Sequence, residues 1–149
     1  MPARESDPLT GFSFALDAGD QIKGYFTEIS GLGSETEVVE HKIVDGKGRD
    51  LIQKIPGRLK FTDVTLKRGV TKTVDMWDWR KLVEDGNIVG ARTNASITMF
   101  DQSLTPVAAW ELINVWPSKI TGPQMQSDST AFGIEELTLV FEDMKRVAM

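Results

Sequence analysis

The chain contains no cysteine, which excludes disulfides, thiol nucleophiles and thiolate metal sites. Histidine is nearly as scarce. The only one, His41, stands in the half-charged run ETEVVEHKIV, where an imidazole reads as a solvated or interface side chain rather than a general base. Basic residues are outnumbered, 17 against 22 acidic for a net charge of -5, which argues against a nucleic-acid binder held by phosphate neutralisation. No stretch approaches the ~18 apolar residues of a membrane span. The opening MPARESDPLTG lacks the apolar run of a secretory signal, so synthesis in the cytoplasm as a soluble protein is expected.

Catalytic motifs are missing too. GFSFA around Ser13 lacks the second glycine of a nucleophile elbow and lies on strand-like sequence. GLGSET has two glycines of a dinucleotide fingerprint without the third or a following helix, and DGKGRD lacks the Gly-Lys-Ser/Thr of a P-loop. Glu135 and Glu136 are adjacent, so a strand would send them to opposite faces and spoil them as a carboxylate pair. The Asn94 sequon has meaning only in a secreted eukaryotic chain. No catalytic residue, cofactor or metal is expected. A small hydrolase would require activity dependent on His41, and a monomeric ligand-binding β-barrel would require an apolar cavity.

What is present is alternation with period two between turn clusters. FSFAL puts Phe12, Phe14 and Leu16 on one face; DAGDQ turns; IKGYFTEI returns. ETEVVEHKIV reads as an exposed or edge strand. Residues 44–58 read as an extended loop combining glycines, charges and an apolar patch of Leu51, Ile52 and Ile55. LKFTDVTLKR is a strand, and further strands are expected in RTNASITMF, PVAAWELINVWP and FGIEELTLVFED. The basic set Lys54, Arg58, Lys60, Lys67 and Arg68 reads as solvated or subunit-facing. One helix, VDMWDWRKLVED, is expected to be capped by Thr71 or Thr73 and stopped at Gly86. The chain is the size of one domain, and the pattern predicts a mainly β fold, a β-sandwich or small β-barrel with one external α-helix.

Trp77 and Trp79 cannot both face one core from that helix, because residues two apart lie about 200° apart around it. On a helical wheel Met76, Trp79 and Val83 fall together with Leu82 at the edge, and that face packs on the sheet. Trp77 falls among Arg80, Lys81 and Glu84, where it is expected to anchor a partner subunit. The candidate interface is therefore Trp77, Arg80, Lys81, Leu51, Ile52, Ile55 and Arg58.

Three blocks carry a family resemblance. IPGRLKFTDVTLKRGVTKTVDMWDW resembles the proline-glycine, leucine-lysine-arginine-glycine and tryptophan-x-tryptophan signature of the T4-like tail tube family. VWPSKITGPQMQSDSTAFGIEELTLVFEDMKR is similar to its closing elements, and GYFTEISGLGSETEVVEH to its phenylalanine-x-glutamate-x-serine-glycine-leucine strand pair. The resemblance runs from Phe12 to Arg146 and implies a single tail tube domain over residues 1–149, with the fold shared by type VI secretion tubes. It implies a structural subunit whose hexameric rings stack into the inner tube of a contractile phage tail, bacteriocin or phage-like injection particle. A tube-initiator ring at the baseplate would look similar. The implied partners are other copies of the chain, the contractile sheath protein, and baseplate and terminator proteins. DNA or effector cargo would pass through the lumen without specific binding. A lumen sharing the chain's negative sign would discourage acidic cargo from sticking.

Overall fold

A computed structural model describes residues 12–123 and 133–148. In chain order it has strands β1 (Ser13–Asp17), β2 (Lys23–Phe26), β3 (Glu28–Ser30), β4 (Ser34–Val44), β5 (Asp50–Phe61) and β6 (Val64–Gly69). Helices α1 (Asp75–Glu84) and α2 (Ile88–Ala91) follow, then strands β7 (Thr93–Phe100), β8 (Pro106–Thr121), β9 (Ile134–Val140) and β10 (Asp143–Val147). The main sheet runs β2-β1-β7-β8-β9-β6-β3, with β10 also paired to β8. Its two end strands, β2 and β3, are consecutive pieces of chain separated by Thr27, whose N–H donates to the Lys67 carbonyl at 2.9 Å. The sheet thus curls until its ends meet in one chain segment, giving the barrel-like, mainly β fold expected.

Alternation fixes which side of the sheet is core. Leu16, Ile97 and Leu112 lie at 0–1% exposure, while their neighbours Asp17, Ser96 and Glu111 form a registered row on the other face. Where the chain passes over the start of β6, Gly31 adopts φ +90°, and a Cβ there would lie 2.0 Å from the Asp63 carbonyl oxygen. Only glycine fits. The long strand β8 changes course at Asn114, which has φ +55°. Its N–H is held by Asn94 Oδ1 at 3.1 Å, and its amide donates to Glu142 at 2.6 Å. Asn94 therefore braces a strand in this chain.

Helix α1 lies against β8 and closes the core with Met76 at 0% and Trp79 at 1% exposure, as the wheel requires. Leu82 and Val83 pack partly buried beside them. Its ends differ from expectation at the start only. Neither Thr71 nor Thr73 caps it: Val74 occupies the cap position without a side-chain bond, and the Thr71 hydroxyl instead accepts the Thr73 N–H. A local turn of that kind competes with capping. Gly86, at φ +83°, ends the helix as predicted, donating to the Val83 carbonyl. A second, unexpected helix follows because Asn87 caps α2 by accepting the Gly90 N–H at 2.9 Å.

The segment 44–58 is not a loop. Among the described residues β4 and β5 pair only with each other, from Ser34↔Phe61 to Val44↔Asp50, so the turn is confined to residues 45–49. The strand predicted over LKFTDVTLKR is likewise split at Thr62–Asp63 between this hairpin and β6.

Candidate subunit interface

The hairpin begins as strand sequence whose apolar residues appear on both sides. Cross-strand partners share a face, so Val39–Ile55, His41–Gln53 and Ile43–Leu51 lie on one face. Val38–Pro56, Glu40–Lys54, Lys42–Ile52 and Val44–Asp50 lie on the other. Leu51 and Ile55 are therefore on the opposite face from Ile52, and the expected single patch is divided between two faces. Arg58 joins the Leu51 face near the base, where it lines a shallow depression with Glu35, Glu37 and Lys60. A bulge between the Thr36 and Val38 pairs separates it from Pro56. Val38, Val39, Val44, Leu51, Ile52, Ile55 and Leu59 are all exposed. An isolated two-stranded ribbon is marginal in water, and neither face of this one is covered by another described element of its chain.

The turn itself is well tied. Asp45 Oδ1 accepts the Arg49 N–H at 2.8 Å and the Lys47 N–H at 2.9 Å, and Oδ2 accepts Arg49 Nε at 3.1 Å. The Arg49 backbone bond, helped by the weaker effects of the Lys47 bond and the Arg49 side chain, holds the Asp45 carboxyl below its ordinary value against the opposing effect of desolvation. Its contribution is thus present above the ordinary carboxylate range and lost as pH falls through the lowered folded value.

On α1 the three named residues differ. Trp77 is 39% exposed. Its indole N–H donates to Glu135 Oε1 at 3.0 Å, and its ring edge lies against Gly122, so part of the second tryptophan is covered by its own chain. Arg80 donates to the Pro117 carbonyl at 3.1 Å and stands 3.9 Å from Glu84, which ties it to the barrel. Lys81 is exposed between Glu84 and Asp85.

Beneath Trp77 lies a charged cluster that the sequence reading assigned elsewhere. Arg68 was expected to be solvated or subunit-facing; it is 7% exposed, directly opposite Glu135, itself 4% exposed. Its guanidinium contacts the Asp75 carboxylate at 2.5 Å and Glu135 at 3.6 Å, and stacks 5.3 Å from the centre of the Phe26 ring. Asp75 also accepts the Met76 N–H. The cluster fixes the start of α1 to β6 and β9, and through Glu135 it orients the Trp77 ring. The signal was in the alternation: Val64, Leu66 and Arg68 share a face, as do Glu135, Leu137 and Leu139. Glu136 points the other way, to Lys67 at 3.4 Å.

Trp77→Ala is expected to leave the subunit folded. It removes one donor to Glu135, a loss of about 1 to 3 kcal/mol for a buried acceptor. The exposed 39% of the ring corresponds to about 100 Å², or ~2.5 kcal/mol if a partner covers it. Comparing Trp77→Phe with Trp77→Ala by thermal unfolding and native mass separates the two effects. An alanine variant that assembles normally but melts early assigns Trp77 to the monomer alone.

A barrel with a firmly seated helix and an unsupported apolar hairpin has the architecture of an assembly subunit. The family profile described as T4-like virus tail tube protein gp19 matches residues 10–145. The chain belongs to that tail tube family and is a tube subunit. A chain of the sheath-tube complex of an extracellular contractile injection system, PVC, in the extended state is similar at 23% identity and TM-score 0.73, covering 97% of this chain and 95% of that one. A chain of the anti-feeding prophage cap is similar at 21% identity and TM-score 0.73, covering 100% and 97%. Hcp1 from Flavobacterium johnsoniae shares the fold at 11% identity and TM-score 0.55, covering 89% and 93%. At these identities the structural likenesses establish the fold. No curated protein matches the chain. No helix among the described residues is long and apolar enough to cross a membrane.

Proposed function

We propose that copies of this chain close into hexameric rings that stack as the inner tube of a contractile injection particle. The observation that carries this is the β4–β5 hairpin, which exposes seven large apolar side chains and pairs with nothing else among the described residues. Apolar surface of that extent on a ribbon marks an association site. The hairpin supplies contacts between rings, with Leu51, Ile52, Ile55 and Arg58 among them. Ring neighbours extend the sheet through the outer edge of β10, which is unpaired among the described residues. Trp77 and Lys81 present the outer face of α1, with Arg80 tied inward beside them.

A stack so connected transmits the force of sheath contraction and conducts DNA or effector cargo without binding it. The sheath-tube, cap and baseplate assemblies named for similar structures support sheath, terminator and baseplate proteins as partners. Synthesis is cytoplasmic, followed by assembly into the particle, and the protein performs no catalysis.

Native mass and negative-stain microscopy of the pure protein test this directly: rings or tubes are expected, and a strict monomer at high concentration in every salt condition would reject it. Deleting residues 46–50 removes most of the turn and the first residue of β5. The barrel should melt as before while stacked tubes shorten, and tubes of normal length would remove the hairpin from inter-ring contact.

A further inference from the structure

The two faces of the hairpin are not equivalent. On the Leu51 face, the three successive pairs Val39–Ile55, His41–Gln53 and Ile43–Leu51 contain no carboxylate, ammonium or guanidinium. Over the same stretch the opposite face carries Glu40, Lys54 and Lys42. The Leu51 face is also the more sheltered: Val39, Leu51 and Ile55 are 44–47% exposed, against 56–65% for Val38, Val44, Ile52 and Leu59. At its base Glu35 and Glu37 stand with Arg58 and Lys60, a balanced set that a surface of the same kind can match.

We infer that this face seats on a second copy of the chain and that protonation of His41 releases it. The inference rests on the tube reading and adds to it a specific contact face and an acid response. Size supports a repeated copy as the occupant. An 11-residue strand spans about 36 Å and a two-strand ribbon is about 10 Å wide, so one face offers about 360 Å². That is roughly half of what each partner gives to a stable pair. A single contact of this kind is weak; many identical contacts around closed rings hold together.

His41 then sits at the centre of the covered stretch. Its cross-strand partner Gln53 is neutral and its neighbours on that face are Val39, Ile55, Ile43 and Leu51. The nearest charges on the same face are Glu37 and Arg58 toward the base; Glu40, Lys42 and Lys54 point away on the other. Among the described residues β4 and β5 pair with no other strand, and no ion pair ties the hairpin's charges to the barrel. Imidazole is the side chain that gains charge between pH 8 and pH 5, and an apolar cover disfavours the charged form. Covering therefore opposes protonation, and protonation opposes covering, once per subunit throughout the stack.

The test is sedimentation of purified wild-type, His41→Gln and His41→Lys proteins from pH 8 to pH 5, with circular dichroism to confirm folding. Wild-type assemblies are expected at pH 8, with at least a tenfold loss of sedimenting material between pH 7 and pH 5.5. His41→Gln should remain assembled across that range, and His41→Lys should assemble poorly even at pH 8. A wild-type acid response kept unchanged in His41→Gln, or normal assembly of His41→Lys at pH 8, overturns the inference and leaves the tube intact. Absence of wild-type assembly at every pH overturns the tube reading as well.

Discussion

Trp79→Ala is expected to lower folding stability by roughly 3 to 5 kcal/mol, as large-to-small changes at fully packed aromatic sites do. The ring is 1% exposed and central to the cluster with Met76 and Leu112. Its indole N–H also donates to the Ala91 carbonyl at 2.7 Å. The substitution opens a cavity and leaves that carbonyl without its indole partner, so α2 should loosen together with α1. Denaturant unfolding at a concentration too low for assembly measures the effect. A loss under ~1 kcal/mol would mean that the helix contributes little to holding the barrel.

Arg68→Met is the second large effect. It removes the cation from between Glu135, with a side chain 5% exposed, and Asp75, at 19%. Breaking a buried pair from one side costs about 3 to 5 kcal/mol, because the remaining charge is left uncompensated. The double variant Arg68→Met, Glu135→Leu removes the nearly buried pair together and should recover much of the loss. Such recovery identifies the cost as a stranded carboxylate rather than missing packing. Equal destabilisation of the single and double variants would show that the Arg68 stem over Phe26 matters more than its charge. In the single variant Trp77 would keep its bond to a carboxylate no longer fixed by the guanidinium, so its fluorescence should also change.

Much of this was legible in the chain. Period-two alternation located the barrel strands, because a sheet with one covered face leaves a mark at every second residue. The α1 wheel separated Trp79 from Trp77, and Gly86 marked the helix end. The first strand of the hairpin was legible as an exposed or edge strand, but its second half, within 44–58, reads as a loop for a physical reason. Its strands have apolar residues at both odd and even positions, such as Leu51 and Ile52, so neither face stands out as inside. Glycines in DGKGRD and at Gly57 added turn signals on top of that. Such a ribbon gains definition from its partner strand and from what covers it, and neither is local in sequence. The short helix α2 was missed because four residues hold too little periodicity to register.

Arg68 shows where sequence reading stops. Its place on the core side follows from Val64 and Leu66, but a charge there is tolerable only with opposite charges across from it. Glu135 and Asp75 reach it from β9 and from the start of α1. The sequence by itself determined the mainly β class, the single well-formed helix, the tail tube resemblance and the tryptophan that enters the core, all of which depend on neighbours a few residues apart. Tertiary structure alone decided that β4 and β5 form a free-standing ribbon, that His41 shares its uncharged face, and that Arg68 is buried. Each depends on which distant strand lies alongside, and strand pairing is set by the closure of the whole sheet rather than by any one segment.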